Sequence, residues 1–102
     1  MLKSRGANDW SLSGRLGVAD VAGLHAQGLR EFGATLASQQ PVRVDLAGIT
    51  GADSAILALL VDWYAWAQRQ GVKLSYHAAP DALRSLARLS EVEQWLFASA
   101  TA

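Results

Sequence analysis

The run from Ala55 to Ala67 is thirteen residues long and carries one charge, Asp62. Wound as an α-helix it spans roughly 20 Å, short of the ~30 Å hydrocarbon core of a bilayer, and a carboxylate near its middle is costly there. It therefore reads as a helix of a packed domain, and no membrane insertion is expected. Asp53-Ser54 is a helix-start signal ahead of it, and Gln68-Arg69-Gln70-Gly71 closes it with polar residues and a terminal glycine. Short alternations flank it on both sides. Val42, Val44 and Leu46 share one face of a strand, and Val72, Leu74 and Tyr76 alternate with Lys73, Ser75 and His77. Strand, helix and strand at this spacing form a crossover unit with parallel pairing.

Upstream, Trp10, Leu12, Gly14 and Leu16 alternate with Ser11, Ser13 and Arg15, a half-buried strand opening at Asp9 or Trp10. Gly6-Ala7-Asn8-Asp9 is turn chemistry after Leu2 to Arg5, so the N-terminus is expected as the edge strand of a hairpin. Asp20 is placed to cap a helix reaching about Ser38, with Val21, His25, Leu29, Phe32 and Leu36 along one face. Gly23, Gly28 and Gly33 each weaken that helix by up to about 1 kcal/mol relative to Ala, so packing must hold it. Downstream, Pro80 suits a first helical turn, and Leu83, Leu86 and Ala87 make a core stripe. Ser90 followed by Glu93 reads as a capping box for a last helix through Trp95 and Leu96, ahead of a frayed tail at 98–102. This order predicts one α/β domain over 1–102, with a mixed four- to five-stranded sheet and about four helices.

Composition narrows the function. Nine Lys plus Arg balance nine Asp plus Glu, so the net charge is zero and an electrostatic grip on nucleic acid is not expected. The absence of cysteine removes disulfides, thiolate–zinc sites and thiol nucleophiles together. With His25 and His77 as the only imidazoles, both read as packing or surface residues, and neither metal nor cofactor is expected. Met1-Leu2-Lys3-Ser4-Arg5 opens no apolar signal segment, which points to the cytoplasm. Ser54, His77 and Asp45 are the residue types of a hydrolase triad, but no G-x-S-x-G elbow surrounds the serine. Gly14-Arg15-Leu16-Gly17 is no dinucleotide loop, and no phosphate-binding P-loop occurs. The expectation is a chain without catalysis of its own.

Two features remain. Ile56, Leu59, Leu60, Trp63 and Ala67 complete a core stripe on the long helix, leaving Leu57, Val61, Tyr64 and Trp66 for its flanks. That surplus fits either a deeply buried helix or a protein-binding face anchored by Trp63, Tyr64 or Trp66. Ser54 stands at the helix N-terminus, where free N–H groups and the helix dipole favour a phosphate or a partner's acceptor. The plainer reading is that Asp53 or Ser54 is an N-cap worth about 1 kcal/mol.

The segment Val42-Arg43-Val44-Asp45-Leu46-Ala47-Gly48-Ile49-Thr50-Gly51-Ala52-Asp53-Ser54-Ala55-Ile56-Leu57-Ala58-Leu59-Leu60 resembles the central signature of the STAS family, the domain of anti-anti-sigma factors and sulfate transporters. In that signature a strand ends in Asp-Leu, and Asp-Ser or Asp-Thr opens a helix after a short loop. Leu12-Ser13-Gly14-Arg15-Leu16 is similar to the family's second strand, Gln70-Gly71-Val72-Lys73-Leu74 to its helix-to-strand passage, and Leu83-Arg84-Ser85-Leu86-Ala87-Arg88-Leu89 to its third helix. The resemblance spans nearly the whole chain. It implies a STAS-type fold in which Asp45 is a structural acid at the strand end, and Thr50, Asp53, Ser54 and Ala55 form a partner-binding or phospho-switch site. The short length and the Leu57 to Leu60 run are most similar to the family's small cytoplasmic subunits of Gram-negative ABC systems for phospholipid transport. That branch implies an ABC ATPase partner in a complex with a membrane permease, and a place at the inner membrane held through that complex. The alternative is an anti-anti-sigma-like switch controlled by phosphorylation of Ser54. The chain departs from the family at Ala55-Ile56, where two small residues are usual, and so puts bulk in the first helical turn.

Overall fold

A computed structural model of the chain describes residues 1–6, 8–34, 40–51 and 53–96. The expected front hairpin forms: β1 (Leu2–Gly6) runs antiparallel to β2 (Asp9–Leu12), with Leu2 opposite Leu12. β2 is shorter than the alternation through Leu16 suggests. Gly14 takes φ +100°, outside extended geometry, so only an isolated parallel bridge from Gly14 to Ile49 continues the pairing. β3 (Val42–Asp45) lies parallel to β2, and β4 (Leu74–His77) lies parallel to β3. The sheet is therefore mixed, in the order β1-β2-β3-β4, and among the described residues it has four strands.

Four helices accompany it: α1 (Val18–Gly33), α2 (Ser54–Gln70), α3 (Asp81–Leu89) and α4 (Glu93–Leu96). Period-2 alternation decides where they pack. Trp10, Leu12, Val42, Val44, Leu74 and Tyr76 are buried on one sheet face, whereas Asp9, Ser11, Arg43, Asp45, Ser75 and His77 point to the other. The helices cover the apolar face. Phe32 of α1 meets Trp10 of β2 edge-on at 5.9 Å and Trp63 of α2 edge-on at 5.2 Å, so one aromatic chain links sheet and both crossover helices. The Tyr76 hydroxyl donates to the Leu60 carbonyl at 2.7 Å, tying β4 to α2, and full burial pushes its ionisation well above the usual phenol range.

Several local expectations are corrected. α1 starts at Val18 with Gly17 as its cap. Asp20 sits in the first turn, and its carboxylate accepts from the Gly17 N–H at 2.9 Å instead of capping the helix itself. Its inward line is Leu24, Gly28 and Phe32, with Val21, His25 and Leu29 only half-buried beside it. The rotation has a steric cause: a Cβ on Gly28 would lie 2.4 Å from the Trp63 indole, so the missing side chain is the slot that Trp63 fills. The expected end of this helix near Ser38, with Leu36, lies outside the described residues, as does the 98–102 tail. Pro80 precedes α3 as its cap residue. Ser90 closes α3 and does not box α4. Glu91 turns the chain at φ +61°, and Glu93 instead reaches back to Arg88 at 3.4 Å and Arg84 at 3.9 Å.

Candidate functional site

The parallel strands β2, β3 and β4 all point their carboxyl ends to one pole of the sheet, where crevices of open α/β sheets usually take their ligands. The loop between β3 and α2 crosses that pole. It is fixed by backbone bonds: Gly14 N–H donates to the Gly48 carbonyl at 2.9 Å, and Thr50 N–H to the Gly14 carbonyl at 3.1 Å. Asp45 pins its start. One carboxylate oxygen accepts from Ala47 N–H at 2.8 Å, and the other takes Arg5 Nη1 at 2.7 Å, so the edge strand β1 braces the loop. The Ala47 N–H first, and the Arg5 hydrogen bond second, hold the Asp45 carboxyl below the ordinary carboxylate range.

α2 begins at the end of this loop. Asp53, in extended geometry, accepts from Ala55 N–H at 2.6 Å, so the cap is Asp53 and the hydroxyl of Ser54 is not used for capping. Ser54 and Thr50 are exposed; Asp53 and Ala55 are half-buried. Ile56 is wholly buried, so the departure from the family pattern adds volume to the core and none to the exposed surface at the helix start. Arg15 and the 75% exposed Val18 belong to the same pole, and the sequence alone gave no local signal for either.

The aromatic candidates are not gathered at this pole. Trp63 is fully buried, with its indole N–H directed to the His25 carbonyl at 3.4 Å, so it is a core residue and not an anchor. Trp66 is half-buried, its ring centroid 6.4 Å from that of Phe32. Tyr64 is half-buried about 15 Å along the helix from Ser54. It lines a cleft of about 470 Å³ with Pro41, Gln68, Lys73, Leu74 and Trp95, at the opposite end of the sheet. The surplus apolar surface of α2 is thus mostly core: Leu57 is buried, and Val61, Tyr64 and Trp66 pack against the core cluster.

The residue types of a triad are not assembled. Asp45 is engaged by Arg5 and Ala47, and His77 Nε2 lies 2.9 Å from Ser75 Oγ, where burial first and Arg43 second lower its protonation range. Among the described residues, no hydrogen bond joins Ser54, His77 and Asp45. No group of three potential ligands that could hold a metal is present among the described residues, and no helix there is long and apolar enough to cross a membrane.

An exposed serine in the first turn of an Asp-capped helix, at the carboxyl pole of a mixed sheet, is the layout that the sequence signature implied. The family model described as Mlab, STAS domain, matches residues 4–98. The chain belongs to the STAS domain family and is most similar to its MlaB type. STAS domains as a class bind and regulate and do not generally catalyse. A search among curated proteins finds no match.

Proposed function

We propose that the chain is the small non-catalytic STAS subunit that binds, and regulates or stabilises, the ATPase of an ABC-type phospholipid transport system maintaining outer-membrane lipid asymmetry. The observation that carries this reading is Ser54: exposed and relieved of capping by Asp53, its hydroxyl is free to meet a partner's donor or acceptor at the start of α2. The MlaB-type family match supports the choice of partner, an MlaF-like ATPase subunit in a complex with a membrane permease. In this reading the chain works in the cytoplasm and reaches the inner membrane only through that complex. Binding shifts the ATPase toward its active state in proportion to how much better the chain binds that state than the other. The purified chain itself hydrolyses neither ATP nor esters.

The anti-anti-sigma alternative is not favoured by the match to the MlaB-type model. Affinity capture of the tagged chain from native membranes, followed by mass spectrometry, tests the proposal. Recovery of an ABC ATPase together with its permease is the expected result. Recovery of a serine kinase without either overturns it, as does ATP turnover by the purified chain that disappears with Ser54→Ala.

A further inference from the structure

The cleft at the end of the sheet opposite Ser54 has the size of a small-molecule site, about 470 Å³. Three elements wall it. Tyr64 and Gln68 stand one turn apart on α2, Lys73 and Leu74 enter at the start of β4, and Gln94 and Trp95 come from α4. Its apolar part is the buried Leu74, the half-buried Tyr64 and the indole of Trp95. The burial of Leu96 and the ties from Glu93 to Arg84 and Arg88 set the orientation of α4, which leaves Trp95 62% exposed on the cleft wall. An indole held in water beside other apolar side chains, in a concavity, is surface that a ligand gains by covering. The polar groups of the cleft are unengaged. Among the described residues the Lys73 ammonium has no ion pair, and the Tyr64 hydroxyl and the side-chain amides of Gln68 and Gln94 have no hydrogen bond. No carboxylate lines the cleft among the described residues, although the chain holds nine acidic residues, so its one formal charge is positive.

The geometry points to this cleft as a binding site for a small amphiphilic anion, whose aromatic or acyl body lies against Trp95, Tyr64 and Leu74 while its carboxylate or phosphate meets Lys73. Both halves of the ligand are needed. A bare anion gains one exposed ammonium, which is worth little by itself, and an uncharged apolar molecule leaves that ammonium unused. The Tyr64 hydroxyl and the two glutamine amides supply further donors for the anion's remaining oxygens. Tyr64 lies about 15 Å from Ser54 along α2, so occupancy of the cleft leaves the helix start free and requires no ATPase.

The test is an NMR titration of the isotope-labelled chain with naphthoate and, separately, octanoate, followed at the indole N–H signals of the four tryptophans, with naphthalenemethanol and octanol as uncharged counterparts. Trp95→Ala identifies the Trp95 signal, and Lys73→Gln removes the charge. Both residues are exposed, so both variants are expected to melt like the parent. The parent is expected to bind at least one of the anions saturably, with the Trp95 signal moving and that of the buried Trp63 still. Binding of naphthoate alone defines an aromatic ligand, and of octanoate alone an acyl one. Lys73→Gln is expected to weaken binding roughly fivefold, to the level of the matching alcohol, and Trp95→Ala to weaken it by about tenfold or more. Failure of both anions to saturate at millimolar concentration overturns the inference, as does a Trp95 signal that stays in place or a pair of variants that bind like the parent. A parent that sediments as a dimer with its Trp95 indole protected, and excludes both anions, assigns the cleft to a second copy of the chain and overturns it too.

Discussion

Along α2, Ile56, Leu60 and Trp63 are wholly buried, while Ser54, Ala58 and Asp62, on the opposite side of the same helix, face solvent. The inward side is crowded enough that α1 surrenders a side chain at Gly28 to admit the Trp63 indole, whereas the exposed positions of the first three turns bear nothing bulkier than an aspartate. The contrast separates two tasks that an apolar helix leaves mixed in sequence. Inward residues determine whether the domain folds. Outward residues determine what it meets once folded, so substitutions on the two sides should fail in different assays.

The largest expected effect is Trp63→Ala, which removes the fully buried indole packed edge-on against Phe32 and should cost about 3–5 kcal/mol by chemical or thermal denaturation. A loss as small as that of an exposed position would break the comparison. Next come two glycines on α1 with opposite signs. Gly28→Ala drives a methyl group into the indole and should destabilise by about 1–3 kcal/mol despite the helix preference of alanine. Gly23→Ala meets open space and should stabilise by up to about 1 kcal/mol. Paired melts check both, and the same sign for the two would sink the account of Gly28. Removing the cap with Asp53→Ala should cost about 1 kcal/mol, or roughly 4–8 °C in a domain of this size.

The smallest effect is the acid dependence of Asp45. Its carboxyl is held low in the folded chain, so its contribution is fully present above the ordinary carboxylate range and is lost as pH falls through the lowered folded value. Parent and Asp45→Asn melts should therefore differ at neutral pH and converge on acidification below about pH 4. A gap unchanged down to pH 2 would mean that the loop is held without the carboxylate.

Much of this layout was legible because it is local. Val42 to Leu46, the Asp53-Ser54 start and Gly71 at the end marked β3 and α2, and the order of all eight elements followed from periodicity together with turn and helix-start signals, although the Ser90–Glu93 box that marked α4 does not form. The inward line of α1 was not, since the slot at Gly28 is defined by a tryptophan thirty-five residues away. Distance in sequence hid the Arg5–Asp45 brace in the same way: neither residue signals the other, and only the β1-β2-β3 order brings them together. The surplus of apolar residues on α2 was ambiguous for a different reason. Periodicity reports how much of a helix is apolar and leaves open how many layers cover it. Here α1, α3 and α4 all pack against α2, so Trp63 became core and the free surface shrank to a strip.

The central claim is that Ser54 is a contact and Asp53 the cap, and Ser54→Asp separates them. A carboxylate in the first turn suits the helix dipole, so the variant should melt at or slightly above the temperature of the parent. In the complex the same carboxylate stands beside Asp53, and burying it without a partner costs several kcal/mol, at least a hundredfold in affinity. The measurement is copurification of the ATPase with parent and Ser54→Asp chains at matched expression, with circular dichroism melts of each alone. The account predicts unchanged melting and loss of the ATPase from the variant; a Ser54→Asp chain that folds and retains the ATPase like the parent contradicts it.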